Sequence, residues 1–328
     1  MAVVPARRSR VIPLAAALLL CVPGLAGAQG PSRPSRVGVL SPFLGPDSLF
    51  FETLRGRLQE LGYVEGRNIT FVYRAAEDFD QLQAHAQEMV RLGVDVITTA
   101  GPQGVRAARG ASTAIPIVMG NVGDAVSQGF VASLAKPGGN VTGLSSLNSE
   151  LSAKRLALLK EAFPAASRIA ILREAVGDAS PLHSAEATAR RLGVSLEVFQ
   201  VRDADELPSA FTTMAAARVA AIEILPGSMF VSQLRRVVEL AANAKMPAIY
   251  PDDRFVRAGG LMSYGSNVAE LYARAAEYVD KILRGARPGD LPVEQPTLFV
   301  LAVNLRTAKT LGIAIAPSFL ARADHVLR

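Results

Sequence analysis

Residues 91–108, RLGVDVITTAGPQGVRAA, hold the reading that decides the fold. The run Val94–Thr99 is apolar on both faces, as in a parallel strand covered by helices on each side. It drops into Ala100-Gly101-Pro102-Gln103-Gly104 and then into a helical spacing of small and apolar residues. A short buried strand, a tight turn and a helix make one βα unit. Such a turn aims the free backbone N–H groups of its helix at whatever sits beyond the strand end.

The same plan occurs twice in the chain. Ser35-Arg-Val-Gly-Val-Leu40 matches Ser167-Arg-Ile-Ala-Ile-Leu172, and Leu61-Gly62 matches Leu192-Gly193. Asp78-Phe-Asp-Gln-Leu82 matches Asp203-Ala-Asp-Glu-Leu207, Val96-Ile97 matches Ala221-Ile222, and Ile115-Pro116 matches Met246-Pro247. Five matches in one order mark an internal repeat rather than chance likeness of α/β segments. In the first copy the pattern predicts strands near 36–41, 68–74, 94–99, 116–119 and 141–145. It predicts helices over about 47–61, 79–91, 103–111 and 125–135. The second copy has strands near 168–172, 194–200, 219–225, 247–250 and 260–264. Val268–Leu283 then reads as a further helix, 285–296 as a Pro- and Gly-rich connector, and 298–328 as a strand, a short helix and a final turn.

Alternating strands and helices with short connections define the fold class: α/β, two similar doubly wound parallel-sheet domains joined by a three-crossing hinge. The crossings fall near Ser145, Gly265 and Pro292. The first lobe is then 35–145 plus 266–292, and the second 146–265 plus 293–328. Ligands of such sheets lie beyond the carboxyl ends of the strands, so two facing lobes leave a cleft for a small molecule. The turn at Gly101 and Pro102 forms one wall, and its repeat counterpart, Leu225-Pro226-Gly227-Ser228, the other.

The chain of 328 residues is 50% hydrophobic and 20% charged, a globular composition. Residues 1–28 read as an export signal: Arg7, Arg8 and Arg10, then VIPLAAALLLCVPGL, then a small-residue Ala26-Gly27-Ala28 site. The sole cysteine, Cys21, lies within it, so the exported chain has no thiol. Lipid attachment there is disfavoured, because Leu20 is not a small residue. The formal charge of +6 includes the three leader arginines, and the other basic residues are scattered, which argues against nucleic acid as partner.

Catalytic and cofactor signatures are missing from the pattern. His85, His183 and His325 stand singly, with no metal-ligand spacing, no G-x-S-x-G elbow and no P-loop. A dinucleotide reading of Gly101…Gly104…Gly110 with Asp124 fails, because Pro102-Gln103 stands where the fingerprint needs its second glycine. No cofactor, metal or enzymatic activity is expected.

The segments LGYVEGRNITFVYRAAEDFDQL, AIPIVMGNVGDAVSQGFVASLAKPGGNVTGLS, MPAIYPDDRFVRAGGLMSYG and LPVEQPT resemble the ABC-transporter substrate-binding proteins related to tryptophan-binding lipoproteins. The resemblance implies a type I periplasmic binding protein that closes over a solute and delivers it to a membrane permease. The family's Thr-Pro step after the third strand is Gly101-Pro102 here, and its Asp-Pro step is Asp124-Ala125. Where the tryptophan-binding relatives carry an aspartate after the crossover glycine, this chain has Ser146. An Asp-Asn pair is replaced by Gly227-Ser228, while Tyr250-Pro251 is kept.

The candidate ligand-binding set follows from strand ends. Ser41 and Phe43 close the first strand, and Arg173 closes its repeat partner. Phe43, Tyr250 and Tyr264 offer apolar faces. Arg173 either pairs with a solute carboxylate or bridges the cleft rim with Glu174. Gln103 and Asn121 either contact ligand or cap turns. Asp124 either caps a helix or accepts from a ligand amine or hydroxyl. Ser145, Ser146 and Ser228 complete the set. The expected protein is a monomeric periplasmic solute-binding protein for a small carboxylate-bearing solute, with an ABC permease as partner. A ligand-sensing module for a membrane receptor is the alternative with the same fold.

Overall fold

The strand of the strand–turn–helix unit at residues 91–108 is the third of five along the chain in the first sheet of the computed structural model, which describes residues 1–3 and 33–328. The predicted leader, with Cys21, lies outside the described residues. Five strands build the first lobe: β1 (Ser35–Pro42), β2 (Ile69–Ala76), β3 (Val96–Ala100), β4 (Ile117–Val122) and β5 (Val141–Ser145). All pair in parallel, in the order β2-β1-β3-β4-β5. Helices α1 (Leu49–Glu60), α2 (Phe79–Arg91) and α3 (Pro102–Ala111) connect them. Ser48 and Asp78 cap the first two by accepting from the Phe51 and Gln81 N–H groups.

A helix over 125–135 is expected from the pattern, but the chain makes turns there. Asp124 accepts from Val126 and Ser127 N–H, opening a single helical turn. Gly129 then takes a left-handed backbone (φ 69), which ends that turn before a second can form.

The second lobe repeats the plan with α4 (Asn148–Ala162), β6 (Arg168–Glu174), α5 (Ser180–Leu192), β7 (Ser195–Val201), α6 (Leu207–Ala216) and β8 (Ala221–Ile224). There follow α7 (Ser228–Ser232), α8 (Leu234–Asn243), β9 (Ala248–Tyr250), α9 (Asp253–Arg257) and β10 (Met262–Ser266). The order β7-β6-β8-β9-β10 reproduces that of the first sheet strand for strand. The two sheets are not equal, however. After α10 (Val268–Leu283) the chain adds β11 (Phe299–Asn304), α11 (Leu305–Thr310), α12 (Pro317–Leu320) and β12 (His325–Leu327). β11 runs antiparallel to β10 and carries β12 at the edge, giving seven strands in a mixed sheet.

Three segments join the lobes. The first leaves β5 and enters α4, whose Leu156 and Leu159 lie in the second-lobe core. The second runs from β10 into α10, which returns to the first lobe. There Tyr272 meets Phe50 edge-on, with ring centroids 5.0 Å apart. The third departs later than the expected Pro292: Val293 still packs in the first-lobe core, and Glu294 exchanges backbone hydrogen bonds with Gly143 and Ser145 of β5. No helix among the described residues is long and apolar enough to cross a membrane.

Candidate functional site

Both sheets reverse strand order beside their first strand, between β1 and β3 and between β6 and β8. The carboxyl ends at these two switch points face one cavity of about 120 Å³, near the about 150 Å³ that holds one benzene-sized molecule.

From the first lobe come the β3–α3 turn, the end of β4 and the first turn of α10. Gly101 has φ 89, a backbone an L side chain rarely adopts, and Pro102 starts α3. Gln103 is buried, and its amide orientation is determined by what it donates to. Nε2 donates to Glu174 Oε2 (3.3 Å) and to the Val176 carbonyl (3.2 Å), both across the cleft. Those acceptors leave Oε1 with no hydrogen-bond partner, in a residue that lines the cavity. Asn121 Oδ1, at the end of β4, is likewise buried and unpartnered. Two acceptors without a donor predict a solute that brings N–H or O–H groups.

From the second lobe come the ends of β6, β8 and β9. Glu174 Oε1 accepts from Met229 N–H (2.7 Å) at the start of α7. Burial is the main influence on this carboxyl and pushes its pKa up to about 7, against the pull of the Met229 and Phe230 N–H groups, Gln103 and Arg173. Gly227 has to be glycine here, because a Cβ would lie 2.3 Å from Glu174 Oε1. Arg254 lines the cavity and is held two-pronged by Asp252, with Nε and Nη2 each 2.8 Å from a carboxylate oxygen. Burial works to lower its pKa, but the Asp252 charge outweighs that and keeps it charged. Arg173, on β6, also lines the cavity, and among the described residues its guanidinium has no hydrogen-bond or ion-pair partner.

The lobes touch across this cavity. Gln128 of the first donates to Asp178 of the second at 3.5 Å. A Cβ on Gly101 would lie 2.9 Å from Ser228 Oγ, and one on Gly123 would lie 2.7 Å from Asp178 Oδ2. Phe43 reaches over from the end of β1 to pack on the second-lobe core cluster.

Of the residues singled out from sequence, Gly101, Pro102, Gln103, Asn121, Ser146, Arg173 and Ser228 line the cavity. The others lie elsewhere. Tyr250 is 1% exposed and stacks on Phe255, because β9 ends with this side chain turned into the core. Tyr264 packs on Phe299 of β11, the strand the repeat does not contain. Asp124 is an exposed cap, Ser145 ties the β4 turn through Gly123 O and Ala125 N, and Ser41 is fully buried within β1. Phe43 serves the lobe interface rather than the cavity. Sequence reading passed over Asp252, Arg254, Asp178 and Tyr272 as site residues. The signal for Asp252 and Arg254 was their place directly after β9, at the carboxyl edge. Nothing local marks Tyr272, whose ring reaches the cavity only because α10 crosses back to the first lobe.

Fold and cleft together define a two-lobed solute-binding architecture. Residues 41–327 match the family model for ABC transporter substrate binding proteins, and the chain belongs to that family. It is 28% identical over 259 residues to the tyrosine-binding protein of Clostridioides difficile strain R20291, covering 78% of this chain and 74% of that one. Among solved structures it resembles the ABC domain of Streptococcus pneumonia in complex with L-Trp. That match has 26% identity and a TM-score of 0.82, over 90% of this chain and 100% of that one. A conserved domain protein of Vibrio cholerae matches at 28% identity and a TM-score of 0.83, with the same coverage.

Proposed function

We propose that this chain is an exported solute-binding protein that captures one amino-acid-like, carboxylate-bearing solute between its lobes and hands it to an ABC permease. The observation that carries the reading is Gln103. Its amide is pinned across the cleft to Glu174 and Val176 while Oε1 stays free in a buried place. A ligand ammonium or other donor would satisfy Oε1 together with Asn121 Oδ1. The Arg173 and Arg254 guanidinium groups supply donors for a carboxylate. Leu151, Pro181 and Tyr272 give the cavity apolar walls for a side chain. Relatives that bind tyrosine or L-Trp make an aromatic amino acid the first solute to test. A basic n-region and apolar h-region at the N-terminus support export to the periplasm, and the chain would act there as a monomer.

The test is a thermal-shift and calorimetric screen of L-tryptophan, L-tyrosine, L-phenylalanine and their amine-free acids. A solute at one hundred times its Kd should stabilise the protein by about 2.7 kcal/mol. Gln103→Ala should remove most of that shift for the amino acids while the unliganded melt stays near its original value. If the amine-free acids bind as well as the amino acids, the assignment of Gln103 and Asn121 to a donor group is wrong.

A further inference from the structure

In the second lobe, outside the cavity lining, lies a buried ion pair that the binding reading does not use. Arg155 of α4 and Glu223 of β8 are both 0% exposed, and Arg155 is the largest fully buried side chain among the described residues. Arg155 Nε donates to Glu223 Oε1 at 3.1 Å, and Ser152, one turn earlier on α4, donates to the same oxygen at 2.7 Å. Arg155 Nη1 donates to the Tyr264 carbonyl of β10 at 3.3 Å.

The placement matters more than the pairing. α4 begins where the chain first enters the second lobe, and β10 ends where it leaves again through Ser266. One guanidinium therefore ties together the second-lobe roots of two of the three connecting segments. Its partner Glu223 stands on β8, whose end forms a cavity wall. A well-packed apolar pair would stabilise such a core as well or better, so stability alone does not explain burying two charges there. What an ion pair supplies and an apolar pair does not is directional contact.

We infer that Arg155 is a positioning residue for solute capture, holding the two connecting segments in the arrangement that lets the lobes close. This rests on the reading of the cleft as the solute site. Arg155 touches no solute and acts through Tyr264 and Glu223.

The discriminating variant is Arg155→Met with Glu223→Leu, which removes both charges and leaves neither orphaned. Arg155→Lys, run in parallel, keeps a charge opposite Glu223 but loses the fork that reaches Tyr264. Three readouts are taken: melting temperature, L-tryptophan and L-tyrosine affinity by calorimetry, and radius of gyration by small-angle scattering without and with each amino acid. The expected result is folded protein with affinity weakened about 2- to 30-fold and a scattering profile of the free protein that differs from wild type. Wild-type affinity and wild-type scattering in a folded variant would overturn the proposal and leave Arg155 a packing residue. If wild type binds neither amino acid, the aromatic-solute reading falls. The scattering of the free variants still decides the role of Arg155.

Discussion

Glu174 shows how one side chain ties the two walls together. Its carboxylate faces Gln103 from the first lobe, Met229 and Phe230 N–H from α7, and Arg173 on its own strand. Burial raises its pKa from the ordinary 4.5 to about 7, and Glu223 is raised likewise. Between those values the folded chain holds protons that the unfolded chain has released. The stabilising effect is therefore complete at and below the unfolded value and is lost as pH rises through about 7. The melting temperature of the free protein should accordingly fall between about pH 4.5 and pH 7 and level off above that, and Glu174→Gln should flatten part of that slope. Two further substitutions separate core from site. Tyr250→Ala removes a ring stacked in the core and should cost about 3–5 kcal/mol of stability. Asp124→Ala removes only a cap, worth about 1 kcal/mol, and should leave solute affinity unchanged. Both were legible as strand-end residues, but their direction was not, since one residue of register turns a side chain from cavity to core.

Among the elements, the turns after β1 and β4 do the closing work. Phe43 sits at φ 59, a left-handed backbone uncommon for a bulky residue, and from there reaches the second-lobe core cluster. Phe43→Ala keeps the backbone but removes this bridge. About 1–2 kcal/mol of burial is lost, so affinity in calorimetry should fall roughly five- to thirtyfold with little change in the free melt. Strand positions followed closely from apolar runs, whereas 125–135 did not form its helix. Its apolar residues satisfy the spacing, but Asp124 and Gly129 allow one turn only.

At the scale of the molecule, capture should compact the protein. Small-angle scattering should show a smaller radius of gyration with L-tryptophan or L-tyrosine than without, and a change in neither would argue against lobe closure as the binding step. The duplicated α/β plan, the strand positions along each copy and the two turns at Gly101 and Gly227 that face one another were legible in the sequence, whereas the order of the strands in each sheet was not. The legible features follow from local patterns of burial, turn chemistry and repetition. Tertiary structure alone decided which polar groups share the cavity. Arg254 and Asp252 sit about 80 residues from Arg173 and Glu174 in the chain, and Tyr272 reaches the first lobe only through the return of α10. It also decided that β11 runs antiparallel and extends only the second sheet. The physical reason is that periodicity reports whether a side chain is buried, while the partner it is buried against depends on how the chain crosses between lobes.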